Sequence, residues 1–293
     1  MLRGIAERSG IGRRVSARFV AGTTVADALQ ATASLNALGM RVSIDNLGEN
    51  VTNPDEARQS AALYHLLLDA IAERKLDANV SLKLTHMGLD VDPALAREIV
   101  SDMVAHAARL GSFVRVDMEG SPHTDRTLEI VHELHRQPGY ADRVGAVIQS
   151  YLKRSERDVE ALCAEQIRIR LCKGAYKEPP EIAFQDKRDV DASFVRLMRI
   201  LLASGTYHGI ATHDPRMIEA TIAFARSEKI APDQFEFQML HGIRRDLQQQ
   251  LVREGWRMRV YVPFGTEWYP YLMRRLAERP ANVLFIARNL FRR

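Results

Sequence analysis

The chain has 293 residues, of which 46% are hydrophobic and 27% charged, with a net charge of +4. That size and composition suit one large globular domain with a substantial core. The arginines are scattered without a basic block, which argues against nucleic-acid binding. No apolar run approaches the roughly 20 residues of a membrane-spanning helix, and the N-terminus lacks the apolar stretch of a signal peptide. With only Cys163 and Cys172, neither a disulfide framework nor a thiolate metal site is expected, and a reducing, cytosolic setting follows.

Residues 1–40 read as a helical preamble, and the Arg-rich first turns read as a solvated helix face. From there on, short β-branched or apolar runs recur, each ending in polar residues. In chain order they are Arg41–Glu49, Asn79–His86, Phe113–Gly120, Val144–Tyr151, Ile167–Gly174, Tyr207–Asp214, Phe235–Gly242 and Arg257–Gly265. Segments with helical periodicity lie between them, among them Pro54–Glu73, Pro93–Leu110, Thr124–Arg136 and Asp189–Ala203. Strands alternating with helices imply parallel βαβ units, and eight such units in about 250 residues match a (β/α)8 barrel of the TIM type. A doubly wound open sheet is the rival, but its Gly-rich dinucleotide turn is absent; Gly10-Ile11-Gly12 follows no strand. No linker rich in Pro, Gly or Ser divides the chain, so residues 41–293 read as a single barrel domain.

In such a barrel the chemistry sits at the C-terminal ends of the strands. Polar residues cluster there: Asp45, Glu49, Lys83, Thr85, His86, Asp117, Glu119, Gln149, Ser150, Arg170, Lys173, Thr212, His213, Asp214, Glu236, Gln238, His241 and Tyr261. Asp117 and Arg170 each interrupt apolar sequence, and an ion pair between strands would keep both charged inside a barrel. The histidines occur on different strands without the spaced partners of a metal site, so no metal is expected. Lys83 and Lys173 are both candidates for a Schiff base. After the last strand, Tyr271, Arg274, Arg275 and Glu278 share one helical face, with Leu272, Met273 and Leu276 on the other. Paired arginines match carboxylate geometry, although a solvated charged stripe gives the same pattern.

Arg259–Glu278 (RVYVPFGTEWYPYLMRRLAE) resembles the C-terminal signature of the proline dehydrogenase family. So do Ser81–Thr85 (SLKLT), Arg115–Glu119 (RVDME), Gln149–Tyr151 (QSY), Arg170–Tyr176 (RLCKGAY), Ala211–Asp214 (ATHD) and Phe235–Gln238 (FEFQ). The length is similar to that of the short, monofunctional bacterial branch. The resemblance implies a distorted barrel whose final helix lies over the barrel mouth. It implies FAD-dependent oxidation of L-proline to Δ1-pyrroline-5-carboxylate, the first step of proline catabolism to glutamate, with electrons passing to a membrane quinone. A separate pyrroline-5-carboxylate dehydrogenase would take the product. The location implied is the cytoplasm, with peripheral contact at the inner face of the cell membrane.

Carried over by motif, Lys83, Arg274 and Arg275 would bind the proline carboxylate, and Glu278 would hold the arginines. Tyr176, Leu240, Tyr261 and Tyr271 would pack on the pyrrolidine ring. Arg170 would bond near flavin N5 with Asp117 as its partner. Met118, Gln149, Lys173, Gly174, Ala175, Thr212 and His213 fall at flavin-contact positions. FAD would be held without a covalent link, since no His or Cys lies in a flavinylation context. Cys172, Phe264 and His241 depart from the family, which often has Val, Tyr and Tyr there.

Overall fold

A computed structural model describes residues 18–278, and side chains as far as Met273. Residues 1–17 of the expected N-terminal segment, residues 279–293, and the side chains of Arg274, Arg275 and Glu278 lie outside the described residues. The eight strands are β1 (Arg41–Asn46), β2 (Ala78–Leu82), β3 (Val114–Val116), β4 (Val144–Gln149), β5 (Arg168–Cys172), β6 (His208–Ala211), β7 (Phe235–Leu240) and β8 (Met258–Phe264). They pair in parallel in chain order, and β8 returns to β1 to close the barrel.

Nine helices are described: α1 (Val25–Asn36), α2 (Pro54–Glu73), α3 (Pro93–Arg109), α4 (Ser121–His135), α5 (Ser155–Ala164), α6 (Lys187–Ala203), α7 (Pro215–Ser227), α8 (Arg245–Arg253) and α9 (Trp268–Glu278). Three of them begin with the same device. Asn53-Pro54, Asp92-Pro93 and Asp214-Pro215 each supply an oxygen that accepts a first-turn N–H, followed by a proline that lacks one.

All eight expected strands are present, but each ends earlier than its apolar pattern suggested, because the polar residues after it leave the sheet to form the mouth. The shortest, β3, keeps only Val114–Val116 of the expected Phe113–Gly120. Helix α4 starts at Ser121 rather than Thr124, since Pro122 is well tolerated in a first turn.

Side chains alternate along each strand. One set is apolar and wholly buried, as with Val42, Ile44, Val80, Leu82, Ile169 and Val260, and it belongs to the main core. The other set is polar and meets across the barrel: Arg170 on β5 reaches Ser43 on β1 and Ser81 on β2. Branched apolar side chains usually fill such an interior; here a hydrogen-bonded polar network does so.

Helix α1 packs against β8 and β1, the place in the outer ring that a helix following β8 would otherwise take. Helix α9 sits elsewhere. Its Trp268, Tyr271 and Leu272 pack with Leu47 after β1, Ile243 after β7, and Phe19 and Val20 of the N-terminal segment. It therefore lies over the mouth. Met273, expected on its apolar side, is 44% exposed, because the packed face runs through Trp268, Tyr271 and Leu272 instead.

Candidate active site

The mouth of the barrel opens into a cavity of about 670 Å³, within the range of sites that enclose a cofactor-sized ligand. At its floor is Arg170. Its Nη1 donates to Asp117 Oδ1 at 2.6 Å, its Nε to Gln238 Oε1 at 2.6 Å, and its Nη2 to Ser81 Oγ at 2.9 Å. The Tyr261 hydroxyl donates to the other Asp117 oxygen at 2.8 Å, and the guanidinium lies 5.1 Å from the Tyr261 ring centre. Burying a guanidinium is costly unless it is paired and hydrogen-bonded; this one is both.

The orientation of Gln238 is itself set from below. Its Nε2 donates to Glu236 Oε1 at 2.6 Å, and Glu236 also accepts from Arg259 Nε at 2.6 Å. An ionised carboxylate only accepts, so the Gln238 amide must turn its N–H toward Glu236 and its oxygen toward Arg170. Burial alone would raise the Glu236 carboxyl, but Arg259 and the bonds from Arg259, Tyr207 and Gln238 outweigh it and hold it at about 2.

Beside this network Lys83 Nζ lies 3.5 Å from Asp45 Oδ2. Burial pulls the Lys83 ammonium down, but Asp45, Asp117, Tyr176 and Glu49 together outweigh it and hold it above the usual lysine range. Burial raises the Asp45 carboxyl, against the pull of Lys83.

The opposite wall is backbone and small side chains. Gly174 has φ +108°, and a Cβ there would meet the Tyr151 ring at 2.3 Å, so only glycine lets the Lys173-Gly174-Ala175 turn pass so close. Gln149 donates through Nε2 to the Glu119 carbonyl at 2.9 Å, which leaves its amide oxygen for the cavity. His213 Nε2 accepts from the Leu240 N–H at 2.9 Å, which puts the ring's own N–H on Nδ1. Lys173 is bound at 2.5 Å to Asp191 and 2.9 Å to Asp214, leaving one N–H of its ammonium.

Lys83, Asp117, Met118, Gln149, Arg170, Lys173, Gly174, Ala175, Tyr176, Thr212, His213, Leu240, Tyr261 and Tyr271 all line this one cavity. Arg274, Arg275 and Glu278 follow Tyr271 on α9, with side chains outside the described residues. Neither lysine suits a Schiff base, which needs a neutral amine: Lys83 is held charged and Lys173 is doubly ion-paired. Glu119 turns away to accept from the Thr85 N–H and hydroxyl at 3.0 and 2.6 Å. The cavity also takes in residues absent from the sequence motifs, among them Val147, Lys187, Ile243 and Arg244. Three of these lie on helix or loop segments whose approach to the mouth no strand pattern announces, and Val147 is an apolar inward residue among polar ones.

The family model described as proline dehydrogenase matches residues 28–288. Proline dehydrogenase 1 of Bacillus subtilis (strain 168) is 41% identical over 283 residues, covering 96% of this chain and 93% of that protein. The proline dehydrogenase of Deinococcus radiodurans is 40% identical over 278 residues, covering 94% and 89%. Among solved structures, proline utilization A from Bdellovibrio bacteriovorus inactivated by N-propargylglycine aligns with a TM-score of 0.85 at 26% identity. That alignment covers 90% of this chain and 32% of the other, so the chain spans about a third of that longer protein.

Proposed function

The chain belongs to the proline dehydrogenase family, and from that premise we propose that it oxidises L-proline to Δ1-pyrroline-5-carboxylate using non-covalently bound FAD. The observation that carries this reading is the caged Arg170 and the charged Lys83 on one floor, facing a glycine-bearing wall across a single cavity. When bound, FAD accepts a hydride equivalent from substrate and passes the electrons on, for which a membrane quinone is the acceptor proposed.

The residues present suit that cofactor. Gly174 gives a flat ring room against the Lys173–Ala175 backbone, with Met118, Gln149, Thr212 and His213 around it. Arg170, fixed by Asp117 and Gln238, supplies a positive charge that favours the electron-rich reduced ring. Lys83 would meet the substrate carboxylate, with Arg274 and Arg275 of α9 proposed to join it and Glu278 proposed as their partner. Tyr176, Leu240, Tyr261 and Tyr271 enclose the pyrrolidine ring and exclude water. Holding substrate and acceptor in one orientation supplies much of the rate.

Residues 18–40 belong to the same functional unit as the barrel in this reading, because α1 closes the ring between β8 and β1. No helix among the described residues is long and apolar enough to cross a membrane, and we place the enzyme in the cytoplasm with peripheral contact at the membrane. A separate pyrroline-5-carboxylate dehydrogenase would consume the product.

The test is to incubate the purified holoprotein with L-proline and a soluble quinone and to identify the product by mass. Loss of two hydrogens from proline, matched by quinone reduction, supports the reading. Quinone left oxidised with proline intact overturns it.

A further inference from the structure

Resting on that reading, we propose that Asp45 is the group that takes the proton from the substrate's ring nitrogen. At neutral pH the amine of proline is a secondary ammonium, whose nitrogen has no free electron pair. The ring carbon beside it gives up hydride only when that pair is available to form the C=N bond, so a proton must leave first.

Asp45 suits the task by position. It is 1% exposed and lines the cavity at the end of β1. Its two oxygens are unequal: Oδ1 accepts from the Tyr64 hydroxyl at 3.3 Å, whereas Oδ2 has no well-formed hydrogen bond, with Lys83 Nζ at 3.5 Å and the Tyr261 hydroxyl nearby. A buried carboxylate oxygen without a donor is costly, and a substrate ammonium supplies the donor. The other carboxylate at the floor, Asp117, is already engaged on both oxygens by Arg170 and Tyr261.

The groups facing Asp45 are Lys83 just after β2, Asp117 just after β3, Tyr261 from β8 and Tyr64 from α2. Burial, with Asp117 alongside, makes Asp45 a better proton acceptor than an ordinary aspartate, and the pull of Lys83 opposes that rise without reversing it. Lys83 has the complementary effect on the ligand, because a cation beside an ammonium lowers its hold on the proton. In the step itself one N–H bond breaks and one O–H bond forms on Oδ2. The electron pair stays on nitrogen, and nothing is oxidised or reduced. The carboxyl returns its proton to solvent when product leaves.

Asp45→Asn keeps the shape and removes the acceptor. Flavin reduction at saturating proline should fall roughly a hundred- to ten-thousand-fold, the range for loss of a general base, and the acid limb of its pH profile should disappear. Cyclopentanecarboxylate, which has the carboxylate and no amine, should bind by calorimetry at least as tightly as to the parent, because Lys83 has lost a competing anion. Parallel loss of cyclopentanecarboxylate affinity would mean that Asp45 only positions Lys83, and unchanged reduction would remove it from the chemistry; either overturns the proposal. Should the variant not fold, the parent protein gives the answer. On acidification its reduction by proline should slow while cyclopentanecarboxylate binding holds or tightens; if both weaken together, the proposal fails. Parent protein whose flavin proline does not reduce at any pH contradicts the functional reading instead.

Discussion

Arg170 and Asp117 sit at the floor of the cavity as a buried ion pair 2.6 Å apart. Removing one partner of such a pair leaves an uncompensated buried charge, at a cost of about 3–5 kcal/mol. Asp117→Ala should therefore lower stability by that order in denaturant unfolding. It should also slow flavin reduction more than it weakens proline binding, since Arg170 would still be tethered by Gln238 and Ser81 but no longer aimed. Reduction unchanged at saturating proline would leave the pair a purely structural role. This pair was legible in the sequence because a charge inside RVDME and another inside RIRLCKG admit few arrangements other than pairing. Asp45 was legible only as one of many polar residues at strand ends. Its unequal oxygens depend on where Lys83 and Tyr64 arrive from other elements, and no local pattern encodes that.

Helix α9 carries the substrate contacts proposed at the mouth, and its seating explains why it is there: α1 occupies the flank between β8 and β1, and Trp268 and Leu272 anchor α9 to Leu47 and Phe19. Tyr271, on the same packed stretch, lines the cavity. Arg274 and Arg275 follow within the next turn. Replacing either with Lys keeps the charge and loses the planar fork, so affinity for proline should fall by about 1.5–3 kcal/mol, roughly ten- to a hundred-fold. The concentration dependence of flavin reduction in Arg274→Lys and Arg275→Lys measures this, and wild-type affinity in both would make the stripe a solvated surface. The sequence revealed that strands and helices alternate, and its periodicity located α2 to the residue, at Pro54–Glu73. It extended every strand too far, because polar residues that continue an alternating pattern look the same whether they stay in the sheet or turn out to line a cavity.

The whole barrel is built around polar groups that must stay in particular protonation states, and this sets its response to acid. Burial, with help from Lys83, brings His86 down to about 4, and burial with Arg115 and Arg168 brings His208 down to about 3. Both folded values lie below the ordinary 6.5, so their contribution to stability is complete above pH 6.5. It is lost as pH falls, through about 4 for His86 and about 3 for His208, because the unfolded chain takes up protons first. Between pH 6 and 5 each should cost up to about 1.4 kcal/mol per pH unit. Glu236 adds to the loss only below about pH 4.5, its folded value being about 2. Urea midpoints measured from pH 7.5 to 5 should decline, the histidines outweighing the opposite contribution of the raised Asp45 and Glu119 carboxyls, and a flat profile over that interval would contradict the buried neutral histidines. The central claim remains that this polar-lined cavity oxidises proline through a bound flavin. Its most direct test is anaerobic mixing of the purified protein with L-proline while the visible spectrum is followed. The account predicts a yellow protein whose flavin absorbance bleaches with proline and whose colour is released by acid precipitation; a colourless protein, or a yellow one that proline leaves unchanged, would contradict it.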